Sequence, residues 1–89
     1  MAERQVTIVN RLGVHARAAK VLVDAAKGFA SEITLEKTGR KADCKRIMTV
    51  LMLEAPVGTE LLLRVTGSDE EEAIETMANL IANRFGEPD

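Results

Sequence analysis

The chain has 89 residues, 46% hydrophobic and 29% charged, a globular composition that leaves room for one domain over residues 1–89 and excludes a disordered chain. Lys and Arg number 12 against 14 Asp and Glu, a net charge of −2, and Phe29 and Phe85 are the only aromatics, so the basic field and stacking platform of a nucleic-acid binder are missing. One cysteine, Cys44, and one histidine, His15, exclude an intramolecular disulfide and a Cys/His zinc site within the chain.

The longest apolar runs, such as residues 50–53, are too short to span a membrane, so membrane insertion is not expected. The first five residues include Glu3 and lack the apolar core of a signal peptide. A reduced, cytoplasmic protein is the expectation.

In chain order, residues 5–9 alternate, with Val6 and Ile8 on one face, and predict a half-buried strand. Asn10 to Gly13 form a loop. Ala18, Ala19, Leu22, Ala25 and Ala26 recur at helical spacing, which predicts a helix over 16–27 stopped by Lys27 and Gly28. Residues 31–37 alternate again with Ile33 and Leu35 inward, and a turn at 37–40 leads to a short strand at 41–44 with Ala42 and Cys44 on one side, a hairpin. Residues 47–53 read as a short helix. After a turn at 56–59, residues 60–66 form a strand with Leu61, Leu63 and Val65 inward. Ser68 and Glu71 fit a capping box for a last helix, with acids 69–72 at its positive pole and a stripe of Ala73, Ile74, Met77, Leu80, Ile81 and Phe85. Gly86 and Pro88 end it. The order β-α-β-β-α-β-α, with strands apolar on one face only, predicts an α+β domain in which three helices cover one side of a mainly antiparallel sheet.

Three places could carry chemistry. His15 stands at the start of the first helix. The positive pole there disfavours imidazolium, and a neutral ring can accept a phosphoryl group or a proton. A phosphate held on it would face the unpaired N–H groups of the first turn. Arg17 puts a cation in that same turn, against the macrodipole, where a guanidinium could bind an anion bidentately. Lys45 and Arg46 repeat the oddity before the second helix, whose Ile47, Met48, Leu51 and Met52 could form an adaptable apolar patch with a basic rim for acidic partners. The acids at 69–72 lack the alternating ligands and glycine of a calcium loop, so capping is the expected role and no metal is expected. Cys44 reads as a small buried hydrophobe, and no Ser-His-acid grouping is legible.

Over residues 13–19, Gly-Val-His-Ala-Arg-Ala-Ala, the chain resembles the histidine-containing phosphocarrier (HPr) family of the bacterial phosphotransferase system. The similarity extends through residues 29–33, 45–53 and 66–73, nearly the whole chain. The resemblance implies an open-faced β-sandwich of four antiparallel strands with three helices on one face. It implies that His15 takes a phosphoryl group on Nδ1 from enzyme I and passes it to a histidine of an enzyme IIA domain. Arg17 and the amides of Ala16 and Arg17 would hold the phosphate. Both partners would dock transiently around His15, through Arg17, Lys20, Arg46, Ile47, Met48, Leu51 and Met52. Such a protein is a carrier and not an enzyme, needs no cofactor, and is expected to be a monomer. Two positions depart from the family pattern. Ala18 stands where many members have Pro, a modest change at a helix start. Arg46 stands where many have a regulatory serine, so phosphorylation at that position is impossible here. Residues 50–54 are similar to the nitrogen-related branch, NPr, which leaves sugar and nitrogen branches as rivals. A binding module that keeps the surface without relay chemistry is the alternative, and a hydrolase using His15 as base ranks last because no nucleophile accompanies it.

Overall fold

The alternation of apolar residues sets the architecture. In the computed structural model, which describes residues 1–89, the strands are β1 (Ala2–Thr7), β2 (Glu32–Lys37), β3 (Arg40–Asp43) and β4 (Glu60–Thr66). They form one antiparallel sheet in the order β1-β4-β2-β3. Val6, Ile33, Leu35, Ala42, Leu61, Leu63 and Val65 are all buried on one face. The other face is polar, with Arg64 bonded to Glu3 (2.7 Å) and Gln5 to Glu60 (2.6 Å). One face covered and one wet is what the strand pattern predicts.

Three helices, α1 (Ala16–Ala26), α2 (Ile47–Leu51) and α3 (Glu70–Ala82), share one core with the sheet. Ala18, Ala19, Leu22, Val23 and Ala26 of α1 and Ala73, Ile74, Met77, Ala78 and Ile81 of α3 are buried in that core, and Val50 is the buried residue of α2. Small alanines on α1 let it lie close to its neighbours. The α+β open-faced sandwich is therefore the observed fold.

The structure moves several boundaries. β1 begins at Ala2, not residue 5, because pairing of Ala2 to Val65 and Glu3 to Arg64 extends it through charged residues that show no apolar alternation. It ends at Thr7, although Ile8 remains tied to the 56–59 turn through Thr59 O and Gly58 N. β3 spans Arg40–Asp43, one residue earlier than expected, and Cys44 still packs inward. α1 ends at Ala26 with Lys27 as its cap, and Gly28 is not left-handed.

The capping box of Ser68 and Glu71 does not form. Instead Glu70 accepts from the Gly67 N–H (3.1 Å), one position earlier in both members. The neighbouring Asp69 carboxylate is occupied elsewhere, accepting from the backbone N–H groups of Ala30 (2.8 Å) and Ser31 (2.9 Å) and from the Ser31 hydroxyl. Gly67, at φ +155°, passes so close to Ser31 that a Cβ would overlap it, which is why the tie can form. The acids of the first turn are Glu70, Glu71 and Glu72, as the helix pole favours. α3 stops at Ala82. Phe85 is not on its stripe but reaches the core through a left-handed reversal at Arg84 and Phe85 (φ 59° and 55°).

Candidate functional site

The loop between β1 and α1 delivers His15 to the helix start. Gly13 makes the turn at φ +69°, and a Cβ there would fall 2.7 Å from the Ala55 carbonyl oxygen, so only glycine fits. Val14 N–H then bonds to the same carbonyl (2.9 Å), fixing the loop against the 55–59 turn. His15 is extended and caps α1, its Nδ1 accepting from the Arg17 N–H at 3.2 Å. Caps of this kind satisfy one orphan donor of the first turn, while the Ala16 N–H has no backbone partner.

A ring nitrogen that accepts an N–H carries no proton itself. The proton of neutral His15 is therefore on Nε2, which meets the carboxylate of Glu87. This contact with the carboxylate has no sign in the local sequence. Glu87 also accepts from Asn10 Nδ2 (2.9 Å), and Asn10, fully buried, donates to the Gly13 carbonyl (2.7 Å). The hydrogen bonds from Asn10 and His15 hold the Glu87 carboxyl below the usual carboxylate range.

His15 opens into a recess of about 480 Å³ that Arg17, Arg11 and the C-terminal residues also line. The Arg17 side chain is exposed and free to reach an anion on the ring. A larger hollow of about 590 Å³ lies between β3 and the end of α2, but it holds no nucleophile and no histidine. The smaller one, which His15 and Arg17 line, is the candidate site.

The expected docking residues divide. Met48 and Met52 are 65% and 67% exposed, and Ile47 is at the margin of exposure. Leu51 is half-buried against the core. Lys20 is exposed on α1 one turn from Arg17, paired with Asp24 (2.8 Å). Arg46 points outward with only a 3.9 Å approach to Asp43. Lys45, by contrast, turns inward to the Phe29 carbonyl (2.7 Å) and ties α2 to the end of α1. Leu12, 65% exposed in the histidine loop, adds an apolar residue that sequence reading passed over as loop. Asn10 and Glu87 were equally hidden, since they lie 5 and 72 residues from His15 and meet only through the fold. Cys44 is sealed in the core, and burial with nearby Asp43 pushes its thiol up to about 12. No group of three or more His, Cys, Asp or Glu stands close enough to hold a metal. No helix is long and apolar enough to cross a membrane.

Comparison with known proteins places the chain in a family. The family profile described as the PTS HPr component phosphorylation site matches residues 2–83. The phosphocarrier protein HPr of Cupriavidus necator is 46% identical over 87 residues, 98% of both chains. The phosphocarrier protein NPr of Shewanella violacea is 40% identical over 85 residues, 96% of this chain and 93% of its own. The crystal structure of HPr-C-His from Thermoanaerobacter tengcongensis superposes with a TM-score of 0.94 at 40% identity, covering 98% of each chain. The chain belongs to the HPr family. It is a phosphocarrier of the phosphotransferase system, of the HPr/NPr kind, and not a catalytic enzyme.

Proposed function

We propose that the protein takes a phosphoryl group on Nδ1 of His15 from phosphorylated enzyme I and hands it to a histidine of an enzyme IIA domain. The observation that carries this is the pose of the ring: Nδ1 accepts the Arg17 N–H, so its lone pair faces the first helical turn. As the lone pair of Nδ1 forms the new N–P bond, the donor's P–N bond breaks and its electron pair leaves with the donor nitrogen. The Arg17 N–H exchanges Nδ1 for a phosphate oxygen, and the Ala16 N–H and Arg17 guanidinium take the others. Beyond the nucleophilic ring nitrogen itself, the protein contributes positioning and charge stabilisation to the transfer.

Two partners in succession imply one shared surface and weak, wet contacts. Met48 and Met52 with Ile47 and the edge of Leu51 supply its adaptable centre, and Arg17, Lys20 and Arg46 its basic rim. The same patch is kept open in a monomer, and the 89 residues act as one cytoplasmic domain. Arg46 carries a permanent positive charge where a phosphoserine would repel an acidic partner, so this control is absent. Transfer rates to a sugar-specific and a nitrogen-regulatory enzyme IIA, measured side by side, assign the branch.

Intact mass after incubation with phosphoenolpyruvate and enzyme I tests the reading. Wild type gains one phosphoryl group that acid removes, and His15→Ala gains none while keeping its circular dichroism. A labelled His15→Ala would remove the carrier role from His15. An unlabelled wild type, with enzyme I active on another carrier, would favour a binding module without relay chemistry.

A further inference from the structure

Resting on that reading of His15, we infer that Glu87 is a positioning residue of the relay, holding the ring proton on Nε2 in both the free and the phosphorylated protein, with buried Asn10 fixing Glu87 in place. Two independent contacts define the tautomer. The Arg17 N–H claims the lone pair of Nδ1, and the Glu87 carboxylate claims the proton of Nε2. The second oxygen of Glu87 is bonded to Asn10 Nδ2, whose other hydrogen bond goes to the Gly13 carbonyl in the histidine loop. The carboxylate is thus referenced to the loop that carries the ring it orients.

The fold sets up this meeting by an uncommon route. Arg84 and Phe85 are consecutive left-handed residues without being glycine, a conformation that strains L side chains. Burial of the Phe85 ring offsets that strain. Gly86 follows at φ +83°, and Glu87 N–H bonds back to the Arg84 carbonyl (2.9 Å). The chain therefore reverses after α3 and returns across the start of α1. Beyond Glu87, the Arg11 N–H donates to the Asp89 main-chain oxygen (2.9 Å), so the tail is held on both sides of the contact.

The chemistry gives this arrangement a use. When Nδ1 attacks phosphorus, no proton leaves the ring, so the product carries phosphorus on Nδ1, hydrogen on Nε2 and a positive charge. A carboxylate at Nε2 stabilises that cation and retains its proton. In the second transfer the P–N bond breaks, its electron pair returns to Nδ1, and the departing group is neutral imidazole. Loss of the Nε2 proton would make the departing group an imidazolate, a far poorer one. Glu87 faces the ring from the nitrogen opposite the phosphate, and Arg17 stands near to balance the added negative charge.

The test uses uniformly 15N-labelled full-length protein, wild type, Glu87→Ala and Glu87→Gln. Long-range 1H–15N correlation at a pH where the ring is neutral reads the tautomer, and rapid-quench mixing reads both transfer steps. Wild type shows a protonated Nε2 and a bare Nδ1. Glu87→Ala shows the averaged pattern of mixed tautomers and slows both transfers by roughly 10-fold. Glu87→Gln, which keeps the shape but can donate to a bare Nε2, moves the 15N pattern the same way by less. Wild-type 15N patterns in both variants overturn the proposal, even if transfer slows, because the tail would then act only as a staple. Failure of wild type to accept phosphate is a different result and defeats the carrier reading itself.

Discussion

At the scale of single residues, the proposed relay divides the labour between His15 and Arg17. In it the imidazole supplies the lone pair, and the guanidinium, uncommitted and two residues on, supplies charge where the phosphoryl oxygens would gather. Arg17→Ala is expected to slow phosphoryl transfer by about 10- to 100-fold with an unchanged melting temperature, since an exposed arginine without an ion pair contributes little to folding. Stopped transfer kinetics and a thermal melt on the same sample check it. A large loss of stability with normal transfer would reverse the assignment. His15 and Arg17 stand out in the sequence because each breaks a local rule: a lone imidazole at a cap and a cation at the wrong pole. Asn10 and Glu87 break none. Asn10 reads as loop and Glu87 as tail, and no pattern connects positions 77 residues apart. Met48 and Met52 are exposed as a patch requires, while Lys45, expected on the rim, turns inward, because a cation before a helix looks the same in sequence whether it faces solvent or a carbonyl.

At the scale of elements, caps and loops hold the site more than the regular segments do. The strands β2 and β4 and the core faces of α1 and α3 follow from periodicity alone, since Ile33, Leu35, Leu61, Leu63 and Val65 alternate and Ala19, Leu22 and Ala26 recur at helical spacing. The ends were not so readable. The tie between Asp69 and the Ala30–Ser31 segment is a long-range choice that takes an acid from its own helix, and a capping-box pattern cannot foresee it. That tie makes a prediction. The Ser31 hydroxyl, then the backbone N–H groups, hold the Asp69 carboxyl below its ordinary value of 3.8. A carboxyl lowered in the folded state contributes stability above the unfolded value and loses it as pH falls through the lower folded one. Asp69→Asn should therefore melt below wild type at neutral pH, and the gap should close as the pH falls below 3.8. Thermal melts across that range measure it, and a gap that stays constant into strong acid would contradict the role.

At the scale of the whole molecule, one sheet face and three helices leave the functional end built from three remote segments: the 10–17 loop and cap, the 46–52 region and the C-terminal tail. Each half of the work has its own layer. The sheet and α3 form a base whose outer sheet face carries paired polar residues, and the exposed start of α1 with α2 carries the ring and the proposed docking patch. A carrier needs this separation, because partners must bind and leave without opening the core. The direct test is a relay in two isolated steps. Wild-type protein is phosphorylated, freed of enzyme I and phosphoenolpyruvate, and mixed with an enzyme IIA while the masses of both are followed. The account predicts that this protein returns to its unmodified mass as the enzyme IIA gains one phosphoryl group, stoichiometrically and without free phosphate. A protein that keeps its phosphate before every enzyme IIA, or releases it only to water, would contradict the claim that it is a carrier.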